Sequence, residues 1–121
     1  MPLEVRDAGF LWDMLEAARE ARDYVKGRTF DDYLHDPMLR RAVERTIEII
    51  GEAARHVSKT VQEEHPEIRW RGIIVQRHVL AHEYGEIKQE RIWAVATVHI
   101  PALILLLEPL VPPPPPDSLS G

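Results

Sequence analysis

Hydrophobic residues recur at three- and four-residue spacings along most of this chain, as they do on the buried face of an α-helix. The first such stretch covers residues 4–26, a short capped segment follows at residues 29–34, and the cleanest pattern covers residues 37–57. Asp36 and Pro37 open this third stretch with a capping carboxylate and a residue suited to the first helical turn. The pattern therefore predicts three helices in the first half of the chain.

The second half predicts two more helices. One covers about residues 71–84, and the other begins near Gln89 and is apolar over most of its circumference. Pro101 lies inside this last helix and should kink it, because proline removes a backbone hydrogen bond. Residues 58–70 are polar and contain a proline, which predicts a loop with room for one short turn.

No segment alternates between polar and apolar residues for long enough to predict a strand. The predicted fold class is therefore all-α, a small antiparallel bundle of four to five helices. A length of 121 residues with 45% hydrophobic content fits a single domain, to which we assign residues 1–111. Residues 112–121 hold a proline run and predict a flexible tail, which can serve as a spacer or as a ligand for a proline-binding domain.

Composition excludes several classes of function. The chain has no cysteine, which rules out disulfides, thiolate nucleophiles and cysteine-based zinc sites and is compatible with a cytoplasmic location. A net charge of -5 argues against nonspecific coating of nucleic acid but allows a local nucleotide site. No run of about eighteen uncharged apolar residues is present, so we predict no membrane span. The apolar last helix instead predicts self-association, because four or five helices cannot cover it on every side. His99 lies on the apolar stripe of this helix, which predicts a histidine packed in the core or at an interface.

The residues with most chemical potential are Arg77, His82 and Tyr84, which form an R-x4-H-x-Y pattern on the fourth predicted helix. Arginine can hold a phosphate through its planar, charged fork, and histidine can exchange a proton near neutral pH. Arg77 and His82 lie about 140° apart on a regular helix, so they do not point at one spot. A distorted helix end, a cleft around the helix edge or a second copy of the chain could bring them together.

Two structural alternatives remain open for these residues. Arg77 shares an apolar stripe of this helix with Tyr84, and it can form an ion pair there with a glutamate of the third helix. The candidate partners are Glu44, Glu48 and Glu52. His78 and His82, four residues apart, can also be two zinc ligands, with Glu83 or Glu86 as another. No HExxH motif is present and the spacing dictates no third ligand, so we expect neither a metal nor a cofactor.

Three sequence blocks together resemble the HepT family of the HEPN superfamily. These are IIGEAA at residues 49–54, HPEIRW at residues 65–70 and RHVLAHEYGEI at residues 77–87, and the similarity extends over about residues 6–110. The resemblance implies a HEPN-like helical homodimer whose motif helices border a shared cleft. Such proteins are toxins of two-gene modules and metal-independent ribonucleases. A minimal nucleotidyltransferase neutralises them by transferring AMP onto the motif tyrosine.

By motif position, the resemblance implies that Arg77 and His82 are catalytic and that Tyr84 is the AMP acceptor. His78 stands where the family often has asparagine, and we expect it to contact the RNA substrate together with Tyr84. Two other functions remain open. The chain can be a catalytically inactive helical partner of a nucleotidyltransferase that accepts AMP on Tyr84 or binds nucleotide in its cleft. It can also be a dimeric helical adaptor whose proline tail is the functional element.

Overall fold

The computed structural model describes residues 3–81 and 84–112, and for residues 77–81 it describes the backbone only. All regular structure in these ranges is helical, which confirms the predicted all-α class. The helices are α1 (Val5–Val25), α2 (Phe30–Leu34), α3 (Pro37–His56), α4 (Lys59–Glu64), α5 (Trp70–Ala81), α6 (Gly85–Ala94) and α7 (Ile100–Leu107). A π-helical turn at Val95–His99 joins α6 to α7, so these three segments form one continuous helix, Gly85–Leu107.

Both predicted capping signals in the first half of the chain form as expected. The Thr29 hydroxyl accepts a hydrogen bond from the Asp32 amide at 3.0 Å, and the Asp32 carboxylate accepts one from the Thr29 amide at 3.0 Å. The hydrogen bond from the Thr29 amide stabilises the ionised carboxylate and is the main cause that lowers the pKa of Asp32, with a further contribution from the Thr29 side chain. At the start of α3, the Asp36 carboxylate accepts a hydrogen bond from the Leu39 amide at 3.1 Å, and Pro37 occupies the first turn.

The core forms where α1 packs against α3 on one side and against the π turn and α7 on the other. The buried side chains are those at three- and four-residue steps, including Leu11, Met14, Ala18, Val43, Ile47, Ile50 and Leu107. An ion pair between Arg19 and Glu108, 2.9 Å long, joins α1 to the residue that follows α7. The start of α1 lies beside the end of α3, since Asp7 contacts Ser58. These two helices are therefore antiparallel.

The segment between α3 and α5 corrects the sequence prediction, because a six-residue helix, α4, stands where we predicted a loop with room for one short turn. Ser58 caps it by accepting a hydrogen bond from the Val61 amide at 3.3 Å. The buried carboxylate of Asp7 accepts hydrogen bonds from both the amide and the hydroxyl of Ser58, each at 2.8 Å. A distant acidic residue thus fixes the start of α4, and spacing within the segment could not predict this contact.

The last helix also differs from its prediction. It begins at Gly85 rather than near Gln89. The π turn at Val95–His99 ends two residues before Pro101. In this turn the Ile100 amide bonds the Val95 carbonyl five residues back. A π turn accommodates one extra residue and is a recognised cause of helix distortion. Ile100, rather than the predicted His99, is consequently the buried residue on this turn.

The helix Gly85–Leu107 is long and apolar enough to cross a membrane, by length and composition alone. The criterion of an uncharged apolar run does not identify a helix of this composition. Within the bundle, 39% of its most apolar window is buried. A core helix covered on one side by neighbouring helices has the same composition. The expectation that the chain has no membrane contact therefore stays a prediction.

Candidate functional site

The helix that carries the motif, α5, is anchored at its first turn. Trp70 is buried, and its indole Nε1 donates a hydrogen bond to the His65 carbonyl at 3.0 Å. Ile68 is buried just before the helix, while Ile73 and Ile74 are partly buried against the core. The sequence therefore fixes the direction of α5 well before the motif begins. The backbone remains helical through Ala81, so it carries the backbones of Arg77 and His78.

Apart from Tyr84, the side chains of the motif lie outside the described residues. This applies to the side chains of Arg77 and His78 and to the whole of His82 and Glu83. The convergence of Arg77 and His82, the alternative ion pair of Arg77 and the alternative zinc site all stay predictions. Among the side chains that the structure does describe, no group of three or more histidine, aspartate or glutamate residues could hold a metal ion.

Tyr84 is the motif residue whose environment is described, and it lies at the start of α6. Its backbone is extended, with φ -134° and ψ 159°. Gly85 follows with φ +67°, a left-handed conformation that glycine adopts without strain.

This conformation corrects the predicted position of Tyr84 on the apolar stripe of α5. As the N-cap residue of α6, it lies outside both helices, and its side chain makes no capping hydrogen bond. The side chain is 82% exposed. A phenol in this position is accessible to an RNA base, to a phosphate or to a modifying enzyme.

A polar network holds the beginning of α6 against the bundle. The Tyr33 hydroxyl donates a hydrogen bond to Gln89 Oε1 at 2.7 Å, and Gln89 Nε2 donates one to Glu44 Oε1 at 3.3 Å. Lys88 Nζ lies 3.8 Å from the same glutamate oxygen. Burial, with a smaller effect from the nearby Glu44 carboxylate, raises the pKa of the Tyr33 phenol. Three elements, α2, α3 and α6, therefore meet through polar side chains next to the turn that carries Tyr84.

A groove of about 530 Å³ runs along the other end of α5. Its floor is apolar and comes from α3, α5, the π turn and α7, with Ile47, Ile50, Ile73, Val95, Ile100 and Leu103 among the lining residues. Arg69, Gln76 and His99 add polar groups. The predicted core position of His99 is wrong, because its side chain is exposed in this groove. Its alternative position at an interface stays a prediction.

An apolar ridge borders this groove on the last helix. Val98 is 62% exposed and Leu105 is 72% exposed, and Ala102 lies between them. Val75 of α5 is also exposed and lines the groove. Adjacent exposed apolar side chains of this kind are typical of an interaction surface. Whether the last helix is covered by a second copy of the chain stays a prediction.

These features define a class of protein. It is a helical bundle in which the helix that carries the R-x4-H-x-Y motif ends beside an exposed tyrosine. The sequence model of a family described as "HepT-like: Ribonuclease HepT-like" matches residues 14–110. The chain belongs to this HepT-like ribonuclease family, which confirms the resemblance to the HEPN superfamily.

Curated relatives agree with this assignment. A Methanocaldococcus jannaschii protein provisionally named as an RNase is 31% identical over 94 residues, which are 78% of this chain and 86% of the relative. A Caldanaerobacter subterraneus subsp. tengcongensis protein with the same kind of name is 36% identical over 78% of this chain and 84% of its own length. A Thermococcus cleftensis protein named "Probable ribonuclease HepT" is 33% identical over 78% of this chain and 86% of its own. No solved structure matches the chain.

Sequence patterns missed the polar network beside Tyr84. Glu44 entered the sequence analysis only as a partner for Arg77, and Gln89 only as the start of a helix. One of its hydrogen bonds joins Tyr33 to Gln89, which are 56 residues apart. The other joins Gln89 to Glu44, which are 45 residues apart. Helical periodicity relates residues within one element, so it carries no signal for such contacts.

Proposed function

We propose that this chain is the toxin of a two-gene toxin-antitoxin module and acts as a metal-independent endoribonuclease. In this proposal its partner is a minimal nucleotidyltransferase, which neutralises it by transferring AMP onto Tyr84. The observation that carries the proposal is the 82% exposure of Tyr84 at a turn directly after the motif helix, in a chain of the HepT-like family. The proposal also includes a cytoplasmic location for the module and its RNA substrate.

RNA supplies its own nucleophile for this reaction. A base removes the proton of the 2′-hydroxyl, the 2′-oxygen forms a bond to phosphorus, and the bond from phosphorus to the 5′-oxygen breaks. An acid gives a proton to the departing 5′-oxygen, and the product ends in a 2′,3′-cyclic phosphate. His82 is the proposed proton carrier, and His78 is the candidate for the second proton transfer. Arg77 stabilises the negative charge that develops on the phosphate oxygens.

AMP transfer blocks this site through charge and size. The phenol oxygen of Tyr84 attacks the α-phosphorus of ATP, the new phosphorus-oxygen bond forms, and pyrophosphate leaves while a base on the partner takes the phenol proton. The product carries a phosphodiester anion and an adenosine beside the motif. A negative group here repels the RNA backbone, and the nucleotide occupies space that the substrate needs.

A homodimer completes the proposed site. The groove along α5 and the ridge of Val98 and Leu105 on the last helix offer adjacent apolar surfaces to a second copy. A two-fold axis pairs the same surface on both copies, so a contact there brings the two α5 helices close to each other. This arrangement would supply residues to a shared cleft from both copies.

The first test is the intact mass of the protein expressed alone and together with its neighbouring gene product. We expect a gain of one or more AMP units that Tyr84→Phe abolishes. Tyr24→Phe is the matched control, because Tyr24 is also solvent-exposed, at 39%, and lies on α1. An unmodified wild-type chain, beside a partner shown to be active on ATP, would overturn the AMP-acceptor proposal.

The second test is RNA cleavage by the purified protein in the presence of a metal chelator. Arg77→Ala and His82→Ala should each lower the cleavage rate at least about a hundredfold, the usual effect of losing a catalytic proton carrier or a charge-stabilising group. Circular dichroism should show that the helices persist. If wild-type protein gains AMP on Tyr84 but cleaves no RNA, the chain is an inactive AMP acceptor. Deleting residues 112–121 tests the adaptor alternative, because only an adaptor would depend on the tail.

A further inference from the structure

The first two turns of α6 are more exposed than the remainder of the last helix. Residues 84–87 are exposed, as are residues 90 and 91, and Ile92 is the first buried residue. Between these positions Lys88 and Gln89 are the partly buried side chains. The contacts of these two side chains with the bundle therefore largely determine the position of the first two turns of α6.

Gln89 contacts two separate elements of the bundle. Its amide oxygen accepts the Tyr33 hydroxyl hydrogen bond from α2, and its amide nitrogen donates to Glu44 on α3. Tyr33 is fully buried and its ring lies 5.3 Å from that of Trp93, centroid to centroid, so this anchor is fixed in the core. Because the two bonds use opposite ends of one amide, they fix both the position and the rotation of this helical turn.

We propose that Gln89 and Glu44 are positioning residues for Tyr84. They hold the first turns of α6 so that the nucleotidyltransferase meets the acceptor phenol in one prearranged place. This inference rests on the proposed function, in which Tyr84 accepts AMP. Neither residue is proposed to touch ATP or to take part in the chemical step.

The proposal predicts a specific kinetic signature. Gln89 lies five residues after Tyr84, about 7.5 Å along a regular helix, so loosening of this turn reaches the acceptor directly. A partner that binds a mobile turn must order it first, and this cost weakens binding. Once the complex has formed, the phenol is in place and the chemical step is unaffected. Loss of the network should therefore raise KM for this chain as the substrate and leave kcat nearly unchanged.

The experiment compares Glu44→Ala, Glu44→Gln and Glu48→Ala as substrates of the neighbouring nucleotidyltransferase. For Glu44→Ala we expect KM to rise about five- to tenfold, the size of effect that one net hydrogen bond provides, with kcat within about twofold. Glu44→Gln keeps an acceptor for the Gln89 amide and should restore most of the wild-type KM. Glu48→Ala is the matched control, because Glu48 lies one turn further along α3 and pairs with Arg45.

Hydrogen exchange of residues 84–91 supplies a readout independent of modification. We expect these amides to exchange faster in Glu44→Ala, while residues 100–107 keep their wild-type protection. Gln89→Ala should reproduce the result from the other side of the hydrogen bond. Unchanged KM in both Glu44→Ala and Gln89→Ala would overturn the positioning proposal, whether or not exchange becomes faster. A fall in kcat with unchanged KM would also overturn it.

The two proposals fail in distinguishable ways. If the wild-type chain gains no AMP from an active partner, then the proposed function has failed, and the role of the network in presenting Tyr84 fails with it. If the wild-type chain is modified and the variants match it in KM, only the positioning proposal has failed.

Discussion

The two halves of the helix Gly85–Leu107 are attached to the bundle by different kinds of contact. The first half meets α2 and α3 through the polar network of Tyr33, Glu44 and Gln89. The apolar contacts of this half, from Ile92 and Trp93, come only in its last turn. The second half packs on α1 through buried apolar side chains, among them Ile100, Leu103, Ile104 and Leu107. Hydrogen bonds between side chains fix direction and contribute little net free energy, whereas apolar burial contributes most of the stability.

The π turn at Val95–His99 lies between these halves. It changes the register, so that the second half presents one apolar face to α1 and leaves Leu105 exposed, while Val98 is exposed on the π turn itself. The comparison teaches that one helix can combine two roles along its length. The apolar half stabilises the bundle, and the polar half places the turn that carries the candidate acceptor.

The largest expected effect comes from the apolar half. Leu107 is 0% exposed, and Leu107→Ala should lower the free energy of unfolding by about 2–5 kcal/mol, because it removes packed methyl groups and leaves a cavity. Urea unfolding followed by circular dichroism measures the loss. Leu105→Ala on the same helix is the control and should change stability by no more than about 0.5 kcal/mol. Equal losses in both variants would contradict the assigned packing of this half.

An intermediate effect concerns association rather than folding. Leu105→Asp should weaken self-association at least about a hundredfold, because the interface would have to bury an unpaired carboxylate. Analytical ultracentrifugation over a range of protein concentrations measures this change, and urea unfolding of the monomer should differ little from wild type. A variant that dimerises as tightly as the wild-type chain would show that the ridge of Val98 and Leu105 is not the contact surface.

The smallest expected effect on stability comes from the polar half. Tyr33→Phe removes the hydrogen bond to Gln89 and keeps the ring, so the free energy of unfolding should fall by only about 1 kcal/mol. The raised pKa of Tyr33 means that the unfolded chain loses the phenol proton first as pH rises. Stability should therefore be unaffected by this group below about pH 10 and should decline above it. Tyr33→Phe should show a shallower alkaline decline than wild type in unfolding experiments.

Local signals were sufficient to predict most of the helices. The capping residues Thr29 and Asp36 mark the starts of α2 and α3, and their side chains make the expected hydrogen bonds. The helix α4 was missed because Asp7, 51 residues away, supports its capping serine. The predicted start of the last helix, near Gln89, is too late, because the helical pattern before Gly85 favours this glycine as a helix end. A glycine with positive φ can equally precede a helix, and sequence spacing does not distinguish these cases.

The sequence by itself determined the helical class and the family, because periodicity, capping chemistry and residue blocks are local properties of the chain. Tertiary structure decided that Tyr84 leaves the stripe of α5 and becomes exposed, and that Gln89 joins Tyr33 to Glu44. It also decided which face of the last helix stays open beside the groove. These outcomes depend on how separate helices pack, and contacts between residues far apart in sequence have no counterpart in the spacing within one helix.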